Sequence, residues 1–268
     1  MIKFFRRIRQ KLLTDGKLSK YLIYAIGEIL LVVIGILIAL QINNWNEGRK
    51  ARLQEIKLLT QLNSDLQSNL EEVKHIIGGE VANHITYGVT LRAEAKDSIL
   101  HYLEDAEKHK EDLKLYLHML PLKGIFNRAN TAYKSIEAGG IDILSNDSLR
   151  TLVTEKYEHR LHNIYVRENL EYEIITNRLK PILQETLIPT SVSSKLHPPA
   201  FYKMFGNKTV LNYPKDPLTL KEDSRFINTL TELQEITLAR KARLELTMRE
   251  LKVLIQEVAA EIERLKIG

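Results

Sequence analysis

The 268-residue sequence contains no cysteine. Disulfides, thiolate nucleophiles, Cys-ligated zinc and iron–sulfur clusters are therefore excluded. A lack of thiols also suits an oxidising compartment, where stray sulfhydryls are a liability. Aromatic residues are scarce, and Trp45 is the single tryptophan. Only seven prolines occur, and Pro189, Pro198, Pro199, Pro214 and Pro217 fall between residues 188 and 222. The rest of the chain has few obligatory breaks and is free to form long helices. Gly-x-Ser-x-Gly, Walker A, Gly-x-Gly-x-x-Gly and His-Glu-x-x-His are all missing, which removes the usual local signatures of hydrolases, nucleotide binding and zincins.

What is present is an uneven charge. The formal net charge is +5, but residues 1–20 hold seven bases against one acid, leaving 32 bases and 33 acids for the remainder. A pI near 9 normally raises nucleic-acid binding. Here the excess lies in one short tail, so no nucleic-acid partner is expected.

Leu22 to Leu40, LIYAIGEILLVVIGILIAL, is apolar except for Glu28. As a helix it is about 28 Å long, the thickness of a bilayer hydrocarbon core. The run is too long for a signal peptide and continues through Gln41, Ile42, Asn43 and Asn44 without a small-x-small exit, so it reads as an uncleaved anchor. Bases concentrate on the cytoplasmic side of a span, and the seven before this one outweigh Arg49, Lys50 and Arg52 after it. The expectation is a basic cytoplasmic tail (1–20), a transmembrane helix (21–42) and an extracytoplasmic domain (43–268) in a bacterial inner membrane, with the bilayer itself as one partner.

A central acid in a span costs roughly 2.5 to 3.5 kcal/mol, and such residues usually face a partner. Glu28, Leu31, Gly35, Ile38 and Ile42 share one helical face, and Gly35 with Ala39 forms a small-xxx-small pair that lets another helix approach. Glu28, Gly35 and Ala39 are therefore the candidate intramembrane contact, with self-association or a membrane or envelope protein as the expected partner. The plainer reading is that Glu28, about two turns from the cytoplasmic end, is merely tolerated; a proton-linked site is a third.

Beyond the span, the periodicity predicts an all-α fold: an extended antiparallel bundle of long, heptad-bearing helices. Leu53, Ile56, Leu59, Leu62, Leu66, Leu70, Val73 and Ile77 mark a helix stopped by Gly78-Gly79. Residues 80–120 support one or two helices. A short helix near 129–138 stops at Gly139-Gly140, and Ser145, Asn146 or Asp147 caps a helix running toward Thr186, with Pro181 expected to kink or end it. Leu244, Met248, Leu251, Ile255, Val258, Ile262 and Leu265 form a heptad seam on a last helix from 224 to 267, preceded in register by Leu230, Leu233 and Thr237. The helix leaving the membrane is its expected partner, and alternation is too sparse to propose a sheet.

The strings MIKFFRRIRQKLL and SKYLIYAIGEILLVVIGILIALQINNWNE resemble the opening of an uncharacterised family of bacterial single-span envelope proteins. TAYKSIEAGGIDILSNDSLRTLVTEKYE (131–158) and DSRFINTLTELQ resemble later segments of that family. Glu28, Gly35, Asn43, Asn44, Trp45, Tyr133, Gly140, Asn146, Leu149, Arg150 and Tyr157 fall on matching positions. The resemblance implies a membrane-bound helical protein of unknown function and brings no catalytic residue or ligand.

Tests for chemistry return little. Glu72 and His75 make one Glu-x-x-His, where a di-iron bundle needs two. His159, His162 and Glu155 could line a metal-binding helix face but read better as solvated surface. Asp142, Asn146 and Asp147 lack the alternating ligands of a calcium loop and read as a helix cap. No catalytic residue, metal or cofactor is expected. In the proline-rich loop, Phe201, Tyr202, Phe205 and Tyr213 alternate with Lys203, Lys208 and Lys215. Aromatics with cations can hold a polyanion, a glycan or anionic headgroups, or simply pin the loop to the bundle. The expected function is that of a non-enzymatic interaction, scaffold or sensing module. The competing expectation is an envelope enzyme whose carboxylates and histidines converge from distant positions between helices.

Overall fold

The computed structural model describes residues 18–78, 89–122, 125–190 and 211–267. The basic tail through residue 17 lies outside them. The chain is all-α, with one small two-stranded sheet, and divides into two units, Met1–Glu55 and Ile56–Gly268.

Helix α1 spans Leu18–Ile77 and ends at Gly78, whose φ of 76° is the left-handed conformation glycine adopts without a Cβ penalty. Among the described residues it is the one helix long and apolar enough to cross a membrane, with a window of mean hydropathy 2.6 that is nowhere buried.

In the second unit, α1 contributes Leu59, Leu62, Leu66 and Val73, all fully buried. Their 3- and 4-residue spacing puts them on one face, and burying each such side chain contributes about 1.5–3 kcal/mol. Helices α2 (Val89–Glu104) and α3 (Lys110–Met119) follow. Helix α4 (Thr131–Gly139) stops at Gly140, where φ is 91°. Its N-terminus is held by α1: Ala132 N donates to Asp65 at 2.8 Å, and Asn69 exchanges two 2.8 Å bonds with the Ala129 backbone.

From Asp147 to Thr186 the chain is helical without a gap. Segments α5 (Asp147–Glu155), α6 (Leu161–Ile174) and α7 (Lys180–Thr186) are joined by the π-helical turns Lys156–Arg160 and Ile175–Leu179. Asn146 caps the start by accepting from Leu149 N at 3.1 Å. Of the two expected effects of Pro181, termination does not occur: the helix continues to Thr186. Pro181 sits in the first turn of α7, just after the wider π turn, where a missing N–H and a displaced carbonyl cost least.

Strands β1 (Leu187–Thr190) and β2 (Leu211–Pro214) pair antiparallel, Leu187 opposite Pro214 and Thr190 opposite Leu211. This corrects the expectation of no sheet. Four-residue strands carry almost no alternation, and their prolines are tolerable because a two-stranded sheet has only edges. A short α8 (Pro217–Glu222), capped by Asp216, leads into α9 (Ser224–Ile267), about 66 Å long.

Helix α9 lies antiparallel along the whole 147–186 helix. Contacts pair Asn146 with Glu261 (3.1 Å), Lys156 with Glu250 (2.7 Å), Glu168 with Arg240 (3.2 Å) and Glu185 with Arg225 (3.3 Å). The expected partner, α1, shares a core with only the second half of α9. Two apolar cores result. Core 1 joins Leu59–Ile76 of α1, Ile136, Leu149, Val153, Tyr157, Leu161, Ile164 and the Leu244–Leu265 half of α9. Core 2 joins Ile99, Leu103, Leu113, Leu117, Ile175, Leu179, Leu183, Tyr213, Phe226, Leu230 and Leu233.

Candidate functional site

Between the two cores lies a layer of buried charge. Arg92, Glu168, Glu171, Thr237 and Arg240 are each 4% exposed or less. Glu171 sits at the centre. Its Oε1 accepts from Arg92 Nη1 at 2.6 Å and from Thr237 Oγ1 at 2.8 Å, and its Oε2 accepts from Arg240 Nη1. Glu168 Oε2 accepts from Arg240 Nη2 at 3.2 Å and from Phe126 N at 3.0 Å, while Arg92 Nη2 donates to the Leu122 carbonyl. Two guanidinium groups balance two carboxylates, and bonds of this kind are what make buried ions tolerable. Burial alone would raise the Glu171 carboxyl. Arg92 and Arg240 beside it, with hydrogen bonds from Arg92 and Thr237, outweigh that and hold it below the ordinary carboxylate range.

The layer does not give the convergence of distant carboxylates that the enzyme expectation called for: Glu168 and Glu171 stand one turn apart on α6, and it is Arg92, Thr237 and Arg240 that reach them from distant positions. The charged companions of the two carboxylates are arginines, and among the described residues no histidine bonds to them. Glu171, ion-paired on both oxygens, is a poor proton donor near neutral pH.

A pocket of about 440 Å³ opens on core 2, lined by Leu117, His118, Lys180, Leu183, Gln184 and Asn212 with Pro121, Leu122, Leu187 and Pro189. Burial pushes His118 below its ordinary value, so its imidazole is neutral at pH 7. None of the charged layer residues lines the pocket. The two touch through Leu122, which borders the pocket and whose carbonyl receives Arg92.

The positions singled out in the sequence lie elsewhere. Glu28 is half-buried, and Gly35 and Ala39 are exposed. A Cβ built on Gly35 would meet nothing within 4 Å, so nothing in the described chain packs on that face there. Phe201, Tyr202, Lys203 and Phe205, with Lys208, lie outside the described residues. Tyr213 is the one aromatic of that set among the described residues, and its surroundings are those of the packing alternative. It is 7% exposed on β2, its hydroxyl donates to Ala106 O at 3.1 Å and lies 3.4 Å from Glu107 Oε1, and Lys110 Nζ stands 4.9 Å from the ring centre. Burial first, then Glu107, pushes that hydroxyl up to about 12. Tyr213 therefore pins the hairpin to α3 and core 2.

His159 and His162 are exposed, and Glu155 is paired with Arg160 at 3.1 Å. No group of three or more possible metal ligands occurs among the described residues. Asp142 and Asp147 both pair with Arg150, bracing the loop before α5.

The family model described as "Family of unknown function (DUF6090)" matches residues 28–182, more than half of the chain. That stretch includes Glu28, Arg92, Glu168 and Glu171. No curated protein and no solved structure matches.

Proposed function

The chain belongs to this family of unknown function, and from that premise we propose that it is a non-enzymatic, membrane-anchored interaction module of the bacterial cell envelope. Its basic tail faces the cytoplasm, and its helical domain meets partners on the other side of the inner membrane. The observation that carries the reading is the double character of α1. Leu22 to Ile42 exposes Ile23, Leu31, Leu37 and Ile42 more than half to solvent, a surface no water-facing helix sustains, whereas Leu59 to Val73 of the same helix are core. One helix thus supplies both an anchor and a structural element of the domain. The charge gradient supports the orientation: seven bases precede the span and three follow it closely.

The enzyme reading has a pair of buried carboxylates, Glu168 and Glu171, in its favour, but an arginine-saturated layer resembles a structural ion network more than a poised acid–base pair. A reporter enzyme active only outside the cytoplasm, fused after residue 268, tests the topology. Activity is expected; an expressed but inactive fusion overturns the orientation. Proximity labelling from the same fusion tests the interaction role, with reproducible labelling of envelope proteins expected over a control fused to the span alone.

A further inference from the structure

Three helices change core at a polar residue. Helix α2 passes from Val89 in core 1 through Arg92 to Ala95 in core 2. Helix α6 passes from Leu161 and Ile164 through Glu168 and Glu171 to Ile174, and α9 from Leu244 through Arg240 and Thr237 to Leu233. The connection between α3 and α4 adds Leu122 and Phe126, each bonded to the layer. At this level, ions and hydroxyls stand where apolar side chains would otherwise fuse the cores.

We propose that the ionic layer is an articulation plane, at which core 2, with its pocket, opens while core 1 stays folded. Apolar packing couples neighbouring segments strongly because every lost contact is felt by its neighbours. A buried ion network of matched charge adds little net stability over apolar packing, so cooperativity is weakest where it replaces that packing. Apart from the 147–186 helix and α9, which both cores share, core 2 is built from short elements: α2 has 16 residues, α3 ten, α8 six and each strand four. Helices this short hold only through tertiary contacts, so they leave together when those contacts open. Core 1 has the long α1 as one wall. The link from Arg92 to Leu122 joins the plane to the pocket rim, so whatever fills the pocket bears on the opening.

Hydrogen exchange on the full chain in lipid nanodiscs tests this, because it reads the opening of each segment separately. Leu251 lies in core 1 and Leu117 in core 2, both buried. Leu251→Ala is expected to speed exchange in Leu59–Ile76 and residues 149–161 by roughly 30-fold or more while leaving α2, α3 and Leu179–Leu187 within about twofold of wild type. Leu117→Ala is expected to speed exchange in those core 2 segments by a similar factor. Equal acceleration of both cores by Leu251→Ala overturns the proposal, since it shows one cooperative unit. A third variant replaces the whole layer by Arg92→Met, Glu168→Leu, Glu171→Leu and Arg240→Met, leaving no lone buried charge. If it folds, Leu251→Ala in that background should speed exchange in both cores. Continued separation there also overturns the assignment of the plane to these residues. If it does not fold, the two single variants decide the matter alone.

Discussion

Glu171 accepts three hydrogen bonds within the layer, and its acid response is calculable in sign. Its carboxyl is held below the ordinary range in the folded chain. A depressed carboxyl contributes stability that is present above its unfolded value, near pH 4.3, and lost as pH falls through the folded one. The helical domain should therefore lose thermal stability on acidification below about pH 4.5, and Glu171→Gln should flatten that acid limb. Identical slopes in the two proteins would remove Glu171 from the response. His118 has the opposite chemistry and the same direction: burial depresses a base, so the domain also weakens as pH falls below about 6.5, and His118→Gln should abolish that shallower step. Truncating one partner is harsher than protonating it. Arg240→Met leaves Glu168 and Glu171 buried with one cation fewer, a cost of about 3–5 kcal/mol visible in the urea midpoint. The layer's signal was present in the sequence: Arg240 occupies the next seam position after Leu233 and Thr237 and before Leu244, and Glu168 and Glu171 continue the apolar stripe of Leu161 and Ile164. Charges on an apolar stripe mark buried partners, but those partners lie 66 to 79 residues apart, beyond the reach of any spacing rule.

At the scale of elements, the helix ends were legible because single residues dictate them. Gly78 and Gly140 take positive φ, Asn146 caps the 147–186 helix, and α9 begins and ends where its heptads do. Gly140 separates two possible costs. A Cβ there would meet nothing within 4 Å, so Gly140→Ala suffers no clash and pays only for a backbone that L residues avoid. A loss of about 1–2 kcal/mol is expected in denaturant unfolding with the slope unchanged. A neutral result would mean the turn can relax to negative φ. Asn146→Ala should cost somewhat more than an ordinary cap, about 1 kcal/mol, because it also loses the 3.1 Å contact to Glu261 on α9. The hairpin and the partner of α9 were not legible. Strand pairing here joins residues over 20 apart through two proline-bearing tetrapeptides, and a heptad seam states that a partner exists without naming it.

For the whole molecule, the +5 charge with which the sequence presents itself is carried by the first 20 residues, the rest being nearly balanced, and on the proposed topology it bears on orientation. The span then poses the question of what, if anything, it meets. Gly35 offers a clean test because the chain itself has no stake in it: added atoms would enter open space. Gly35→Leu should leave insertion and the fold of residues 56–267 untouched, so any loss of association reports a second helix packed on that face. Polar contacts between membrane helices are worth about 1–2 kcal/mol in model peptides, and loss of a close small-residue approach is expected on the same scale, roughly a tenfold change in association. The chain has no cysteine, so Ala39→Cys provides a unique crosslinking site one turn away. Membranes carrying Ala39→Cys should yield crosslinked dimers or a partner adduct, and adding Gly35→Leu should cut that yield by about tenfold, with Glu28→Leu acting in the same direction. An unchanged yield with both second substitutions would remove Glu28 and Gly35 from the contact, and leave residues 56–267 to make any association without them.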